Sequence, residues 1–256
     1  MNRLLRRSLL AQAAALAPAA SLAQGSNSRT ISEGNISGEL VLPAKVPAPA
    51  VFVLHTAWGK VHPADVQYAR DLAAAGFVAF AINYPMKGKP SDWVPPYIKW
   101  LQARPEAASQ PLGAVGFSAG GRRVFFFARN PAVKAVVSYY GTYDLTTTPV
   151  RQMHSDNPAQ SPIKFLEQTH AAALLLHGAK DNEVPLEQIE RMKQAVQARG
   201  LPCESVIYPG AYHCFDRGPP VPGVDRTPEG TFMAYDGNAA KDAEARSIAW
   251  LRKYLV

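Results

Sequence analysis

The feature that most constrains the fold is an apolar run that ends in Gly-x-Ser-x-Gly and continues into a helix-like segment, at residues 112–121. This pattern is typical of a buried strand that turns sharply into a helix, with strained backbone angles at the apex. Glycines at 116 and 120 remove the Cβ atoms that would collide in so tight a turn. We therefore expect Ser118 to stand exposed at a sheet edge, as a nucleophile that needs a histidine to take its proton.

Strand-like and helix-like segments alternate along most of the chain. Apolar runs typical of buried strands occur at residues 51–55, 77–82, 112–117, 133–140, 171–176 and 206–208. Apolar residues recur at helical spacing in residues 63–75, 93–103, 119–130, 186–199 and 239–254. Residues 30–43 are expected to form two short antiparallel edge strands. The alternation predicts an α/β fold, a mostly parallel twisted sheet with helices on both faces.

The length and composition indicate a globular protein without a nucleic-acid partner. A chain of 256 residues with 47% hydrophobic and 18% charged residues suits one α/β domain and excludes a disordered chain. The formal net charge is +7, and three of those charges, Arg3, Arg6 and Arg7, fall in the N-terminal leader. The remaining charge of about +4 is spread thinly, without the basic stripe that nucleic-acid binding requires.

The leader resembles an export signal. Residues 1–7 are basic, residues 8–20 are rich in leucine and alanine, and residues 21–23 offer the small side chains that a signal peptidase reads. The apolar part is too short to span a membrane permanently. We expect a signal peptide at residues 1–23, of the Sec or twin-arginine type, and a single domain at residues 24–256 that is periplasmic or secreted. An N-terminal amphipathic helix is the alternative.

The cysteines and histidines predict neither a disulfide nor a cofactor. Cys203 and Cys214 are placed at opposite ends of a strand and its following loop, beyond the reach of a disulfide, so both are expected to be buried thiols. The histidines that lack paired metal-ligand spacing are His62, His154, His170 and His177. We expect no metal and no cofactor.

Candidate catalytic residues follow successive strands. Asp181 comes shortly after the strand at residues 171–176, and His213 follows the strand that ends at Tyr208. Because active residues of such sheets lie in loops at the carboxyl ends of strands, these side chains and Ser118 are expected to converge. Their order along the chain is serine, aspartate, histidine, which predicts a nucleophile, an orienting acid and a general base.

The identity of the acid stays open at this point. Asp144, which follows the strand ending at Tyr140, could also reach His213. Asp216 is too close to His213 in sequence, and Glu183 is the weakest candidate.

Taken together, these motifs resemble those of the dienelactone hydrolase family of α/β-hydrolases. The resemblance covers the chain from about Val51 to its end. The matching segments are residues 116–121, residues 138–141, Gly178 with Asp181 and residues 184–185, residues 208–210 with His213, Phe215 and Asp216, and Tyr235 with residues 239–240 and 242–243. The resemblance implies the α/β-hydrolase fold and the hydrolysis of a small-molecule ester or lactone.

The resemblance also implies an oxyanion hole. The hole would use the backbone N–H of Ala119 and that of Ala57, with Thr56 or Trp58 as alternatives to Ala57. By their positions, and independently of the resemblance, Tyr84 and Trp58 are expected to line an acyl pocket, with a place in the core as the equal alternative.

Two departures from the family bear on the substrate. Dienelactone hydrolases use a cysteine nucleophile and a glutamate where this chain has Ser118 and Thr56. They also clamp a lactone carboxylate with two arginines, of which Arg217 matches one, whereas the other falls at Met86. The presence of only one of the two arginines implies a broader ester or lactone substrate, which could still carry an anionic group.

Two further interpretations concern side chains near the turn. Arg122 and Arg123, in the helix after Ser118, are expected to be solvated or paired at its surface. His55 is expected to be a hydrogen-bonded loop histidine.

The sequence thus favours an exported serine hydrolase of carboxylic esters or lactones that works through an acyl-enzyme. A peptidase or an acyltransferase on the same scaffold is the enzymatic alternative, since one triad serves all these reactions. A non-catalytic binding protein of this fold is the alternative from another class. The oligomeric state is left open.

Overall fold

The computed structural model describes residues 27–56, 59–107, 109–147, 158–217, 225–226 and 232–256. The expected signal peptide at residues 1–23 and the start of the mature chain near Gln24 lie outside the described residues. The strands are β1 (Asn27–Glu33), β2 (Ile36–Leu42), β3 (Ala50–Leu54), β4 (Val78–Ile82), β5 (Leu112–Phe117), β6 (Val133–Tyr139), β7 (Ala172–Gly178), β8 (Cys203–Tyr208), β9 (Asp225–Arg226) and β10 (Phe232–Met233). The α-helices are α1 (Pro63–Ala74), α2 (Pro90–Gln102), α3 (Ala119–Phe127), α4 (Leu186–Gln197) and α5 (Gly237–Leu255).

The main sheet has the order β1-β2-β4-β3-β5-β6-β7-β8. Strands β3 to β8 pair in parallel, whereas β1 and β2 pair antiparallel at one edge, as residues 30–43 predicted. Since parallel strands share a direction, the loops after β3, β5, β6, β7 and β8 all leave the same edge of the sheet. This edge brings distant parts of the sequence together. The prediction of a mostly parallel α/β sheet is confirmed.

Helices cover both faces of the sheet because its central strands are apolar on both sides. In β3, Phe52 faces one core, where its ring lies 4.8 Å from that of Phe127 in α3. Val51 and Val53 face the other core with Tyr68 of α1. The first core is closed by α2, α3 and α4, and the second by α1 and α5. Continuous apolar runs, instead of alternating ones, are what such doubly covered strands require.

Both cysteines, Cys203 and Cys214, are free and buried, as their spacing predicted. Among the helices in the described part of the chain, none is both long enough and apolar enough to cross a membrane.

Candidate active site

The turn between β5 and α3 has the strained geometry that the Gly-x-Ser-x-Gly pattern predicts. Ser118 adopts φ 52° and ψ −113°, a conformation costly for a residue with a side chain. A Cβ atom at Gly116 would lie 2.3 Å from the carbonyl oxygen of Gly120, and one at Gly120 would lie 2.4 Å from that of Leu54. Only glycine fits at these two positions, so α3 packs directly on the ends of β3 and β5. The turn places Ser118 at the carboxyl edge of the sheet, but the residue is buried there, 6% exposed, and does not stand exposed as the pattern predicted.

Three loops bring the predicted nucleophile, base and acid into one hydrogen-bonded line. The Oγ of Ser118 lies 3.0 Å from Nε2 of His213, in the loop after β8. The Nδ1 of His213 lies 2.8 Å from Oδ2 of Asp181, in the loop after β7. The other carboxylate oxygen of Asp181 accepts the backbone N–H groups of Glu183, at 2.8 Å, and Val184, at 3.0 Å. This arrangement can pass a proton from Ser118 to His213 while Asp181 fixes the imidazole tautomer.

The other candidate acids are occupied elsewhere or lie on another side of the imidazole. Asp144 accepts the hydroxyl proton of Thr146 and lies 3.3 Å from Arg191 of α4. Asp216 accepts the hydroxyl of Tyr140. Glu183, the weakest candidate, approaches the other nitrogen, with its Oε2 3.4 Å from Nε2 of His213. The geometry therefore assigns the orienting position to Asp181.

The electrostatic surroundings favour a charged imidazole beside a charged carboxylate. Burial alone would lower the pKa of His213, but the carboxyl groups of Asp181 and Glu183 outweigh it and hold that pKa well above the ordinary value. Burial alone would raise the pKa of Asp181, but the nearby His213 and the backbone N–H of Val184 keep it below its usual range. A base with a raised pKa accepts the Ser118 proton only at higher pH, because below that pKa it already carries a proton.

The structure describes one of the two backbone donors expected in the oxyanion hole. Ala119 is the first residue of α3, directly after Ser118. Backbone N–H groups in the first turn of a helix have no partner within the helix, so the N–H of Ala119 is available to a ligand. The expected second donor, Ala57, and the alternative, Trp58, lie outside the described residues. The expected place of Trp58 in an acyl pocket is therefore not described either. Thr56 is described and buried, with its carbonyl oxygen 2.5 Å from Nδ1 of His55.

Tyr84 lies behind the loop after β3 and is buried, as the core alternative required. The residue is only 1% exposed, and its ring stacks on that of His55 at 3.9 Å between centroids. Its hydroxyl donates to the carbonyl oxygen of His55 at 2.5 Å. On the other side its ring stacks on Trp93 of α2. Tyr84 thus supports the loop that leads to residue 57, and the expectation of substrate contact is replaced by a positioning role. His55 is a hydrogen-bonded loop histidine, as expected.

Arg217 also departs from its expected role. Its guanidinium is buried and lies 2.5 Å from Asp65 of α1 and 3.3 Å from Asp216. The same group stacks over the ring of Phe117 at 3.6 Å. The residue lines a cleft of about 290 Å³ between α1 and α5 that is separate from Ser118. Arg217 therefore ties the His213 loop to α1, and its charge is already neutralised instead of being offered to a substrate carboxylate.

The Asp65–Arg217 ion pair predicts a large effect on stability. We expect Arg217→Met to lower the free energy of unfolding by about 3 kcal/mol or more, because it leaves the carboxylate of Asp65 buried without a counter-charge. Urea unfolding followed by circular dichroism measures this loss. The matched control is Arg246→Met, which breaks an exposed pair with Asp242 and should cost less than about 1 kcal/mol. Equal losses for the two variants would contradict the structural role of Arg217.

Sequence reasoning did not predict the roles of two residues of the acid loop. His177, at the end of β7, is fully buried, and its Nε2 donates to the carbonyl oxygen of Val184 at 3.0 Å while lying 3.7 Å from Oδ2 of Asp181. Burial lowers the pKa of His177 and favours its neutral form. Glu183 approaches His213 from the same loop. Their positions just after a strand were visible in the sequence, but the direction of each side chain was not.

Comparisons with known proteins identify the family of the chain. A model of the dienelactone hydrolase family matches residues 89–255. A protein of Escherichia coli K12, provisionally named a carboxymethylenebutenolidase, is 30% identical over 231 residues, which cover 81% of this chain and 78% of the relative. A Bradyrhizobium protein, provisionally named a 2-oxo-3-(5-oxofuran-2-ylidene)propanoate lactonase, is 27% identical and covers 68% of this chain and 73% of its own.

A solved structure of a similar protein has the same fold. The crystal structure of a protein from Klebsiella pneumoniae, provisionally named a dienelactone hydrolase, superposes with a TM-score of 0.68 at 25% identity. The superposition covers 90% of this chain and 98% of that one. Because the family model matches most of the chain and the E. coli relative is 30% identical, the chain belongs to the dienelactone hydrolase family, which has the α/β-hydrolase fold.

Proposed function

We propose that this hydrolase cleaves uncharged carboxylic esters or lactones through a serine nucleophile and an acyl-enzyme. The observation that carries the proposal is the continuous line from Ser118 through His213 to Asp181, at 3.0 Å and 2.8 Å. Distances of this size allow proton transfer in the ground state. The leader at residues 1–23 supports the further proposal that the protein is exported, with a mature N terminus near Gln24.

The proposed reaction has two halves. In the first, Ser118 Oγ attacks the substrate carbonyl carbon, its proton moves to Nε2 of His213, and the same proton then leaves with the alcohol. In the second, His213 takes a proton from water as the water oxygen attacks the acyl carbon, and it then gives that proton to Oγ of Ser118 as the acyl–Oγ bond breaks and the acid leaves. Asp181 stabilises the charged imidazole in both halves. The N–H of Ala119, and in this proposal that of Ala57, would hold the oxyanion.

The charges near the site favour a neutral substrate. Arg217, the residue expected to clamp a carboxylate, is held by Asp65 instead. A carboxyl group, that of Glu183, lies within hydrogen-bonding range of the base that serves Ser118. An anionic substrate would therefore meet the like charge of Glu183, and it would not be met by Arg217, which is already paired. The relative named as a lactonase supports lactones beside open-chain esters as a substrate class, but the propanoate in its name carries a carboxylate, so the preference for a neutral substrate rests on Arg217 and Glu183 alone.

A panel of matched substrates tests the proposal. We expect p-nitrophenyl butyrate and an uncharged aryl lactone to be hydrolysed with kcat/KM at least about tenfold above that for the p-nitrophenyl hemiester of succinic acid, since a like charge beside the site costs on the order of 1.4 kcal/mol or more. Peptide p-nitroanilides should be cleaved far more slowly. Faster cleavage of the anilides would favour the peptidase alternative, and preference for the hemiester would contradict the neutral substrate class. Ester formation with added alcohol in place of hydrolysis would indicate an acyltransferase.

A further inference from the structure

The imidazole of His213 lies between two carboxyl groups. Asp181 meets its Nδ1 at 2.8 Å, and Oε2 of Glu183 lies 3.4 Å from its Nε2. Nε2 is also the atom that receives the Ser118 proton, and the Ser118 hydroxyl lies 3.0 Å from it. Glu183 is only 8% exposed, so its charge acts on His213 with little screening by water.

One turn of the backbone sets both carboxyl groups in place. The Oδ1 of Asp181 accepts the N–H of Glu183 itself as well as that of Val184. The carbonyl oxygen of Val184 is in turn held by the buried His177. The position of the Glu183 side chain therefore follows from the same turn that orients Asp181. Its approach to His213 belongs to the framework of the site.

We propose that Glu183 is a second carboxylate of the active site, one that stabilises the protonated imidazole of His213 and so sets the pH range in which Ser118 is activated. The inference rests on the proposed serine mechanism. The proposal gives a role to Glu183, which has none in the mechanism of Ser118, His213 and Asp181.

The chemistry of the step gives Glu183 two opposing effects. When the Oγ–H bond of Ser118 breaks and Oγ bonds to the carbonyl carbon, the proton passes to Nε2 and the imidazole becomes positive. Glu183 stabilises that positive charge, which lowers the barrier. In the resting enzyme, however, the same carboxylate favours an imidazole that already holds a proton on Nε2, and such an imidazole cannot accept another. Glu183 thus speeds the reaction at high pH and delays its onset as pH rises.

Other titratable groups face the same imidazole. Asp181 and, behind it, His177 approach from β7 and its loop. The ring of Tyr140, after β6, lies 4.8 Å from that of His213, and its hydroxyl donates to Asp216. The neighbouring thiol of Cys214 acts in the same direction as the carboxylates on the pKa of His213. Among these, Glu183 is distinguished by its contact with Nε2, the nitrogen that reacts.

The test is the pH dependence of Ser118 phosphonylation by a fluorophosphonate probe, which requires no knowledge of the natural substrate. In Glu183→Gln, which keeps the shape and removes the charge, the midpoint of the rise in labelling rate should move to lower pH by about one unit or more. The plateau rate at high pH should fall by a similar factor, about tenfold, because the charged imidazole of the transition state loses the same stabilisation. Well below both midpoints the two rates should be close. Glu183→Asp should keep the midpoint nearer to that of the wild type.

Glu187→Gln, in the first turn of α4, removes an exposed carboxylate four residues further on and should leave the profile unchanged. An unchanged midpoint in Glu183→Gln, or an equal shift in Glu187→Gln, would overturn the role of Glu183. Should the wild type itself resist labelling at every pH, the proposed serine mechanism fails first. Circular dichroism of each variant establishes that the compared proteins are folded.

Discussion

Replacing Ser118 by alanine is expected to reduce kcat for p-nitrophenyl butyrate hydrolysis by at least about 10⁴-fold. The variant loses the hydroxyl oxygen that the geometry places beside His213 for attack on a carbonyl, at 3.0 Å from Nε2. The N–H of Ala119 and the bound geometry remain, so a small residual rate above that of water alone is expected. Initial rates at saturating substrate, with the protein freed of contaminating esterases, measure the loss.

The matched control is Ser91→Ala, an exposed serine of α2 that should leave kcat unchanged. Retention of more than about one hundredth of the wild-type kcat in Ser118→Ala would show that another residue attacks the ester.

Asp181→Asn is expected to lower kcat by about 10⁴-fold while the protein stays folded. The amide oxygen can still accept the N–H groups of Glu183 and Val184, so the loop should keep its shape. The amide nitrogen, however, cannot accept the Nδ1 proton of His213, so the imidazole would turn the wrong tautomer toward Ser118. Steady-state kinetics beside a thermal unfolding curve separates this loss from misfolding.

Asp144→Asn provides the control, since Asp144 was the other candidate acid and its carboxylate is engaged with Thr146 and Arg191. We expect it to change kcat less than about tenfold, since it touches no atom of the reacting line. A larger loss in Asp144→Asn than in Asp181→Asn would reverse the assignment of the acid.

The fold and the catalytic line could be predicted because both depend on local patterns. Gly116 and Gly120 are required because any Cβ there would make contacts of 2.3 Å and 2.4 Å. The two glycines in the sequence therefore predict the sharp turn. Asp181 follows the apolar, fully buried strand β7, and His213 follows the edge strand β8, which is only partly buried. Since parallel strands bring their carboxyl ends to one edge, position along the chain was enough to predict their convergence with Ser118.

Side-chain direction was beyond the reach of such patterns. Arg122 and Arg123 were expected at the helix surface, yet each is 2% exposed, and Arg123 donates to the carbonyl oxygens of Ala119 and Met86. Arg217 was expected to face the substrate, but a buried carboxylate on α1, more than a hundred residues earlier, holds it. Glu183 was the weakest acid by position and is the carboxyl group nearest to Nε2. Each outcome depends on which element packs opposite, which only the tertiary structure defines.

The most direct test of the central claim is to treat the protein with a fluorophosphonate, digest it and locate the adduct by tandem mass spectrometry. The account predicts one stoichiometric adduct on the peptide that contains Ser118, absent from Ser118→Ala and strongly slowed in Asp181→Asn. An adduct on a different residue, or none in the folded wild-type protein across the pH range, would contradict the assignment of Ser118 as the nucleophile.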